Sequence, residues 1–237
     1  MNTKEIILAS ASPRRTELLT LAGIKHKVIV LEHEEVIDNT KSPSDIVKSL
    51  AYQKANAVFE KYNEDVVIGA DTIVVLDEIL GKPKDRQDAF RMLKKLQGNT
   101  HQVMTGVAIL SKEKQLVFYE STNVTFKKMS NDEIYEYIDS ENVYDKAGAY
   151  AIQGSACKYI SKIEGDYYNV MGLPVQRVYS ELNNLDKNKL PKNHVVVVGG
   201  SNIDYIGNLP SDFNISESNI GTVDVYFEKK KKNIVEN

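Results

Sequence analysis

Along the first 185 positions, apolar residues alternate between short runs dense in β-branched side chains and longer stretches with a spacing of three to four, the pattern of strands exchanged with helices. Ile6-Ile7-Leu8 reads as a strand running into Ala9-Ser10-Ala11-Ser12-Pro13-Arg14-Arg15. Leu18, Leu19, Leu21 and Ala22 then take helical spacing, and Gly23 stops the helix. A strand is expected over 27–31. After Pro43, Ser44 is expected to cap a helix with Val47, Leu50, Ala51 and Val58 on its inner stripe, and Lys54 falls inside that stripe. Val66-Val67-Ile68 and Ile73-Val74-Val75-Leu76 flank Gly69-Ala70-Asp71-Thr72, which reads as a buried strand, an opening and a second strand. Asp85 caps a helix with Ala89, Met92, Leu93 and Leu96 inward and Gly98 at its end. Strands follow over 101–110 and 115–126. Ser130 and Glu133 then make a capping box for a helix that buries Ile134, Tyr137 and Ile138. A strand near 159–163, a turn at Glu164-Gly165-Asp166 and a helix opening at Pro174, with Val175, Val178, Tyr179 and Leu182, complete an α/β unit of mixed order.

From residue 183 the composition shifts to Asn, Lys and Asp, and Pro191 ends the run, so a domain over 1–185 is expected to give way to a linker over 186–193. Residues 194–237 begin with the buried-type strand His194-Val195-Val196-Val197-Val198-Gly199 and are too few to close a core of their own. That strand lacks a sheet of its own to join, so it is expected to pair with an edge of the first domain or of another chain, or to stay mobile.

A chain of 237 residues with 42% apolar content can bury one large core plus an appendage. No run nears the length of a membrane span, and Met1-Asn2-Thr3-Lys4-Glu5 has no signal-peptide character, so no membrane and a cytoplasmic location are expected. A single cysteine, Cys157, excludes an internal disulfide and fits a reducing compartment. The net charge of -3 gives no general attraction to nucleic acid, so phosphate binding has to be local.

Local cations are present. Ser12 as N-cap and Pro13 as first helical residue leave free backbone N–H groups at a helix start that also carries Ser10, Arg14 and Arg15. Two arginines there oppose the helix dipole and call for an anion. Asp71, among apolar strands, calls for a cation: a metal, a lysine, or both. Lys54 on an inner face either snorkels or is aimed at something. With Glu35 and Lys82, these residues combine carboxylates for a hard divalent metal with cations for phosphate, the requirements of metal-assisted attack of water on a phosphoanhydride. The chain has neither a Walker loop nor a G-x-G-x-x-G sequence.

Five blocks, Leu8-Ala9-Ser10-Ala11-Ser12-Pro13-Arg14-Arg15-Thr16-Glu17-Leu18-Leu19, Gly69-Ala70-Asp71-Thr72, Gly81-Lys82-Pro83, His101-Gln102-Val103-Met104-Thr105-Gly106 and Asp145-Lys146-Ala147-Gly148-Ala149-Tyr150-Ala151-Ile152-Gln153-Gly154, resemble the Maf family of nucleoside triphosphate pyrophosphatases over residues 1 to about 185. The resemblance implies hydrolysis of a nucleoside triphosphate to monophosphate and pyrophosphate with Mg²⁺ or another divalent cation such as Mn²⁺. It also implies an elongated mixed-sheet α/β fold shared with inosine-triphosphate pyrophosphatases. Asp71 matches the family's catalytic acidic residue, and the catalytic set expected is Asp71, Glu35 and Lys82, with Glu35 and Asp71 as metal ligands. Ser10, Ser12, Arg14, Arg15, Lys54, Thr72 and Gln153 are expected to bind substrate. Arg14, Thr72 and Gln153 match the positions that mark the family's dTTP/UTP branch, and the Gln153 amide suits the carbonyl and N–H edge of uracil or thymine. Gln53 stands where a Glu is common and is expected to matter little. A homodimer is an assembly that this reading allows.

After the linker, Val195 with the residues to Asp204, Tyr205-Ile206-Gly207 and Ser218-Asn219-Ile220-Gly221-Thr222-Val223 resemble the start of ribokinase-like kinases, especially pseudouridine kinases. Lysines replace the glycine pair expected before Asn233, and no catalytic-base region follows, which implies a truncated fragment without kinase activity. Two alternatives stand beside the enzyme reading. One is a silent module that senses nucleotides or binds a cell-division partner; the other is a bifunctional enzyme cut short.

Overall fold

A computed structural model of the chain describes residues 5–187 apart from residue 64, with side chains to residue 185, and four further strands within 194–234. The chain divides into two compact units, Met1–Glu181 and Leu182–Asn237. The described elements of the first run β1 (Ile6–Leu8), α1 (Pro13–Leu21), β2 (Lys27–Val28), α2 (Pro43–Phe59), β3 (Val66–Val75), β4 (Ile79–Leu80), α3 (Arg86–Leu96), β5 (Thr100–Leu110), β6 (Gln115–Phe126), α4 (Asn131–Ser140), β7 (Ile160–Glu164), α5 (Tyr167–Met171) and the start of α6 (Val175–Lys187). The strands form one mixed sheet in the order β2-β1-β3-β5-β6-β7, with β4 on β3. β1 runs parallel to β2 and β3, and the remaining pairs are antiparallel. This is the mixed α/β class expected.

β3 is one continuous strand of 10 residues, not two strands around an opening. Gly69, Ala70 and Asp71 keep their places in the ladder with β5, opposite Ala108, Val107 and Gly106. The small residues serve a close approach. A Cβ on Gly69 would sit 2.4 Å from the carbonyl oxygen of Ala51, and one on Gly106 would sit 2.2 Å from that of Val47, so the backbone of α2 lies directly on the sheet. Ile7, Ala9, Ala51, Ala55, Val58, Val67, Ala108 and Leu110 make the core under α2. A second core gathers Leu80, Met92, Leu93, Leu96, Val103, Val124, Phe126, Ile134, Tyr137 and Tyr150 from α3, α4 and the other part of the sheet.

Several local expectations are corrected. Ser42, not Ser44, caps α2: Pro43 takes the first helical position, and Ser42 accepts the backbone N–H of Asp45 at 3.2 Å. β2 spans two residues rather than 27–31. α5 was not foreseen; Asp166 caps it by accepting the backbone N–H of Tyr168 at 2.8 Å. Tyr179 is 50% exposed, because the inner stripe of α6 passes through Val175 and Val178 instead. α6 runs to Lys187, into the stretch read as a linker, since Leu182 and Leu185 continue its helical spacing.

In the second unit β8 (His194–Gly199) pairs antiparallel with β9 (Asn202–Asn208), and β10 (Val223–Phe227) pairs with β11 (Lys230–Ile234). The valine strand therefore has a partner in the segment that follows it. The rest of the linker and the side chains that carry the kinase-like resemblance lie outside the described residues. Among the described residues no helix is long and apolar enough to cross a membrane.

Candidate active site

Asp71 lies on the same face of β3 as Gly69, the face covered by α2, because side chains two apart share a face. Removing two Cβ atoms lets α2 settle until Lys54 reaches that carboxylate. The ammonium of Lys54 hydrogen-bonds Asp71 Oδ1 and pairs with Glu35 Oε1 at 3.2 Å. The side chains of Asp71 and Lys54 are 16% and 20% exposed, against 42% for Glu35. Lys54 does not snorkel. It joins two carboxylates far apart in sequence into one cluster, partly shielded from solvent.

β1 ends at Leu8 opposite Ile68, and the backbone N–H of Ala9 donates to the Ile68 carbonyl at 2.8 Å. The start of α1 is thereby delivered beside Asp71 and Thr72. Ser12 sits in extended backbone geometry at the N-cap and makes no side-chain capping bond, so its hydroxyl is not spent on the helix. The two arginines part company. Arg14 pairs with Asp145 at 3.7 Å. Arg15 is buried: its Nε donates to the Gly172 carbonyl at 2.8 Å, one terminal nitrogen donates to Ser10 Oγ at 2.9 Å, and the other to Thr72 Oγ1 at 3.1 Å. Burial lowers the pKa of its guanidinium, against the charge of Asp71. Thr72 Oγ1 also shares a hydrogen bond with Thr105 Oγ1 at 2.9 Å, and Thr105 donates to the Asn169 carbonyl.

Lys82 stands exposed just after Gly81, whose carbonyl accepts the backbone N–H of Gly148 at 3.0 Å, so the loop holding Lys82 is tied to the segment 145–153. In that segment Lys146 bonds Asp145 at 2.7 Å as well as the carbonyl of Asn142. Burial alone would raise the Asp145 carboxyl, but Lys146 and Arg14 outweigh it and hold the group below the usual carboxylate value. Tyr150 is buried, with its hydroxyl 2.7 Å from His101 Nε2. Burial pushes the His101 pKa down to about 4, so this imidazole is neutral at pH 7. Gln153 is exposed, on the stretch between the two short 3-10 turns Ala147–Ala149 and Ser155–Lys158.

These groups line one cleft of about 590 Å³, a size suited to a nucleotide. Ser12, Arg14, Arg15, Glu35, Lys54, Asp71, Thr72, Lys82 and Gln153 are all on its wall. Ser10 is not; it is 6% exposed, and its hydroxyl accepts from Arg15 and from the backbone N–H of Ser12. The wall also holds Asp145, Lys146 and Tyr150, to which the sequence reading assigned no role, together with Ile37, Ile79 and Ile152 as apolar surface. Asp145 and Lys146 belonged to a block already singled out, but adjacent opposite charges read equally well as a solvated pair.

A family model described as "Maf-like protein" matches residues 5–185. A protein named dTTP/UTP pyrophosphatase from Bacillus cytotoxicus is 53% identical over 184 residues, which cover 77% of this chain and 96% of the relative. The protein of the same name from Bacillus mycoides gives the same identity and the same shares. Among solved structures, the Staphylococcus aureus Ham1 protein superposes with a TM-score of 0.38 at 19% identity, over 52% of this chain and 72% of that one.

Proposed function

We propose, from the premise that this chain belongs to the Maf family, that it hydrolyses dTTP and UTP to the nucleoside monophosphate and pyrophosphate. The observation that carries the reading is the Lys54 ammonium joined to both Asp71 and Glu35 in a cleft that also presents Arg14, Lys82 and Lys146. Carboxylates to handle water and cations to hold phosphate oxygens are what the reaction requires.

Asp71 takes the proton of the attacking water, whose oxygen forms a bond to the α-phosphorus as the bond to the bridging oxygen of the β-phosphate breaks. Pyrophosphate leaves with the bridging oxygen. Arg14 and Lys82 balance its charge, and Lys54 orients Asp71 between its own hydrogen bond and the pull of Glu35. Glu35 and Asp71 fit a hard divalent cation such as Mg²⁺, which takes one or two carboxylates and fills its other positions with water and substrate oxygens. When bound, the ion neutralises phosphate charge. Gln153, at the rim, offers one donor and one acceptor to the pyrimidine edge.

A nucleotide panel read by pyrophosphate release tests this. UTP and dTTP should be cleaved faster than GTP or ATP, and chelation of divalent cations should abolish turnover. A purine preference would overturn the base assignment, and absence of pyrophosphate would overturn the reaction. A chain ending near Leu185 should keep full hydrolase activity. A cytoplasmic setting accords with the exposed free thiol of Cys157.

A further inference from the structure

Glu35 reaches Lys54 from a stretch that belongs to no strand or helix, residues 29–38. Ile29 and Leu31 pack against the core under α2, but burial does not hold residues 34–38, where Val36 and Ile37 are 68% and 50% exposed. A carboxylate carried on so open a segment keeps a fixed position only if its backbone is tied to something rigid. The tie is Gln53. Its Oε1 accepts the backbone N–H of Val36 at 2.8 Å, and its Nε2 donates to the Val36 carbonyl at 2.9 Å and to Ser49 Oγ, one helical turn back, at 3.1 Å. Consecutive residues of α2, Gln53 and Lys54, thus grip consecutive residues of the stretch, Val36 and Glu35. The amide imitates one rung of a β-ladder, satisfying both the N–H and the C=O of a residue that has no neighbouring strand.

We propose that Gln53 is a positioning residue for Glu35: its amide clamps the backbone of Val36 to α2 and so holds the Glu35 carboxylate against Lys54 and beside Asp71. This deepens the proposed function and rests on Glu35 acting there. It also replaces the expectation that Gln rather than Glu at 53 matters little. A carboxylate at this position would accept from the Val36 N–H but could not donate to its carbonyl, so it would hold one side of the rung and repel the other.

The test uses Gln53→Met, which keeps the length and loses both bonds, and Gln53→Glu, which keeps the acceptor alone. With UTP, Gln53→Met should lower kcat about tenfold with KM within about twofold, and Gln53→Glu about threefold, because misplacement of a catalytic group is felt in the reacting complex. In a Glu35→Gln background, Gln53→Met should add less than about twofold, since a residue that acts through Glu35 has nothing left to position. Amide hydrogen exchange at Val36 should speed by about tenfold or more in Gln53→Met and less in Gln53→Glu. Multiplicative losses in the double variant, or Val36 exchange unchanged in Gln53→Met, would overturn the proposal. Exchange needs no turnover, so failure of the clamp is read separately from failure of nucleotide hydrolysis.

Discussion

Asp71 and Thr72 are neighbours on one strand, yet the two faces of β3 that they occupy treat polar groups in opposite ways. On the α2 face, Asp71, Lys54 and Glu35 form an open ionic cluster whose members keep unused hydrogen-bonding capacity toward the cleft. On the other face, Thr72, Arg15, Ser10, Thr105 and Asn169 bond chiefly to one another and to backbone carbonyls. A side chain held chiefly by partners inside the protein supports shape, whereas one with more capacity to spare can bind or move a proton. The comparison assigns chemistry to the first face and rigidity to the second, and each assignment can be broken by substitution.

The largest effect belongs to Asp71. Asp71→Asn keeps the shape and removes the proton acceptor, so turnover should fall by about 10² to 10⁴ while the melting temperature stays near that of the parent. A folded variant with near-parental turnover would move the chemistry elsewhere.

His101 should set the next largest effect, on stability alone. It is 1% exposed within the sealed core and its pKa is held near 4, against an unfolded value of about 6.5. Between these values the unfolded chain binds a proton that the folded chain refuses, so stability falls as pH drops through that window. The full loss is about 3 kcal/mol, reached at and below pH 4. Urea midpoints measured from pH 7 to 4.5 should show this dependence, and His101→Gln should flatten it.

Arg15→Met should cost about 2 kcal/mol in urea unfolding, because it leaves the Gly172 carbonyl without its donor and takes a partner from Ser10 and Thr72. Arg15→Lys should rescue little, since one ammonium cannot reproduce the planar fork. The smallest effect is that of exposed Lys82. Lys82→Ala should weaken kcat/KM about tenfold, equal to about 1.4 kcal/mol, with no change in stability. Destabilisation by Lys82→Ala, or undiminished stability in Arg15→Met, would erase the contrast between the faces.

The termini of the elements show how far a local pattern carries. Asp85 before α3 and the Ser130 and Glu133 box before α4 sit where capping chemistry puts them. The inner stripes of α2 and α3 follow helical spacing, and nine of the ten candidate site residues line one cleft, seven of them from the motif blocks and Glu35 and Lys54 from outside them. β3 was misread because Gly and Asp are turn residues by local preference, whereas here the glycine makes room for a helix. Arg15 carried a readable signal, since it shares a helix face with Leu18 and Leu19, three and four residues on.

Short-range rules thus set the elements, the caps, the inward direction of Lys54 and the supply of charge, because each depends on residues a few positions apart. Three things needed the folded chain. Lys54 lies 17 residues from Asp71, and their meeting depends on the depth to which Gly69 and Gly106 let α2 sink. Arg14 and Arg15 are chemically identical, and the packing of Gly172 and Thr72 against one of them separates a cleft cation paired with Asp145 from a buried strut. The role of Gln53 exists only because an unpaired backbone passes it at hydrogen-bonding distance. Contacts between distant residues depend on strand register and on how closely elements pack, and no local spacing encodes either.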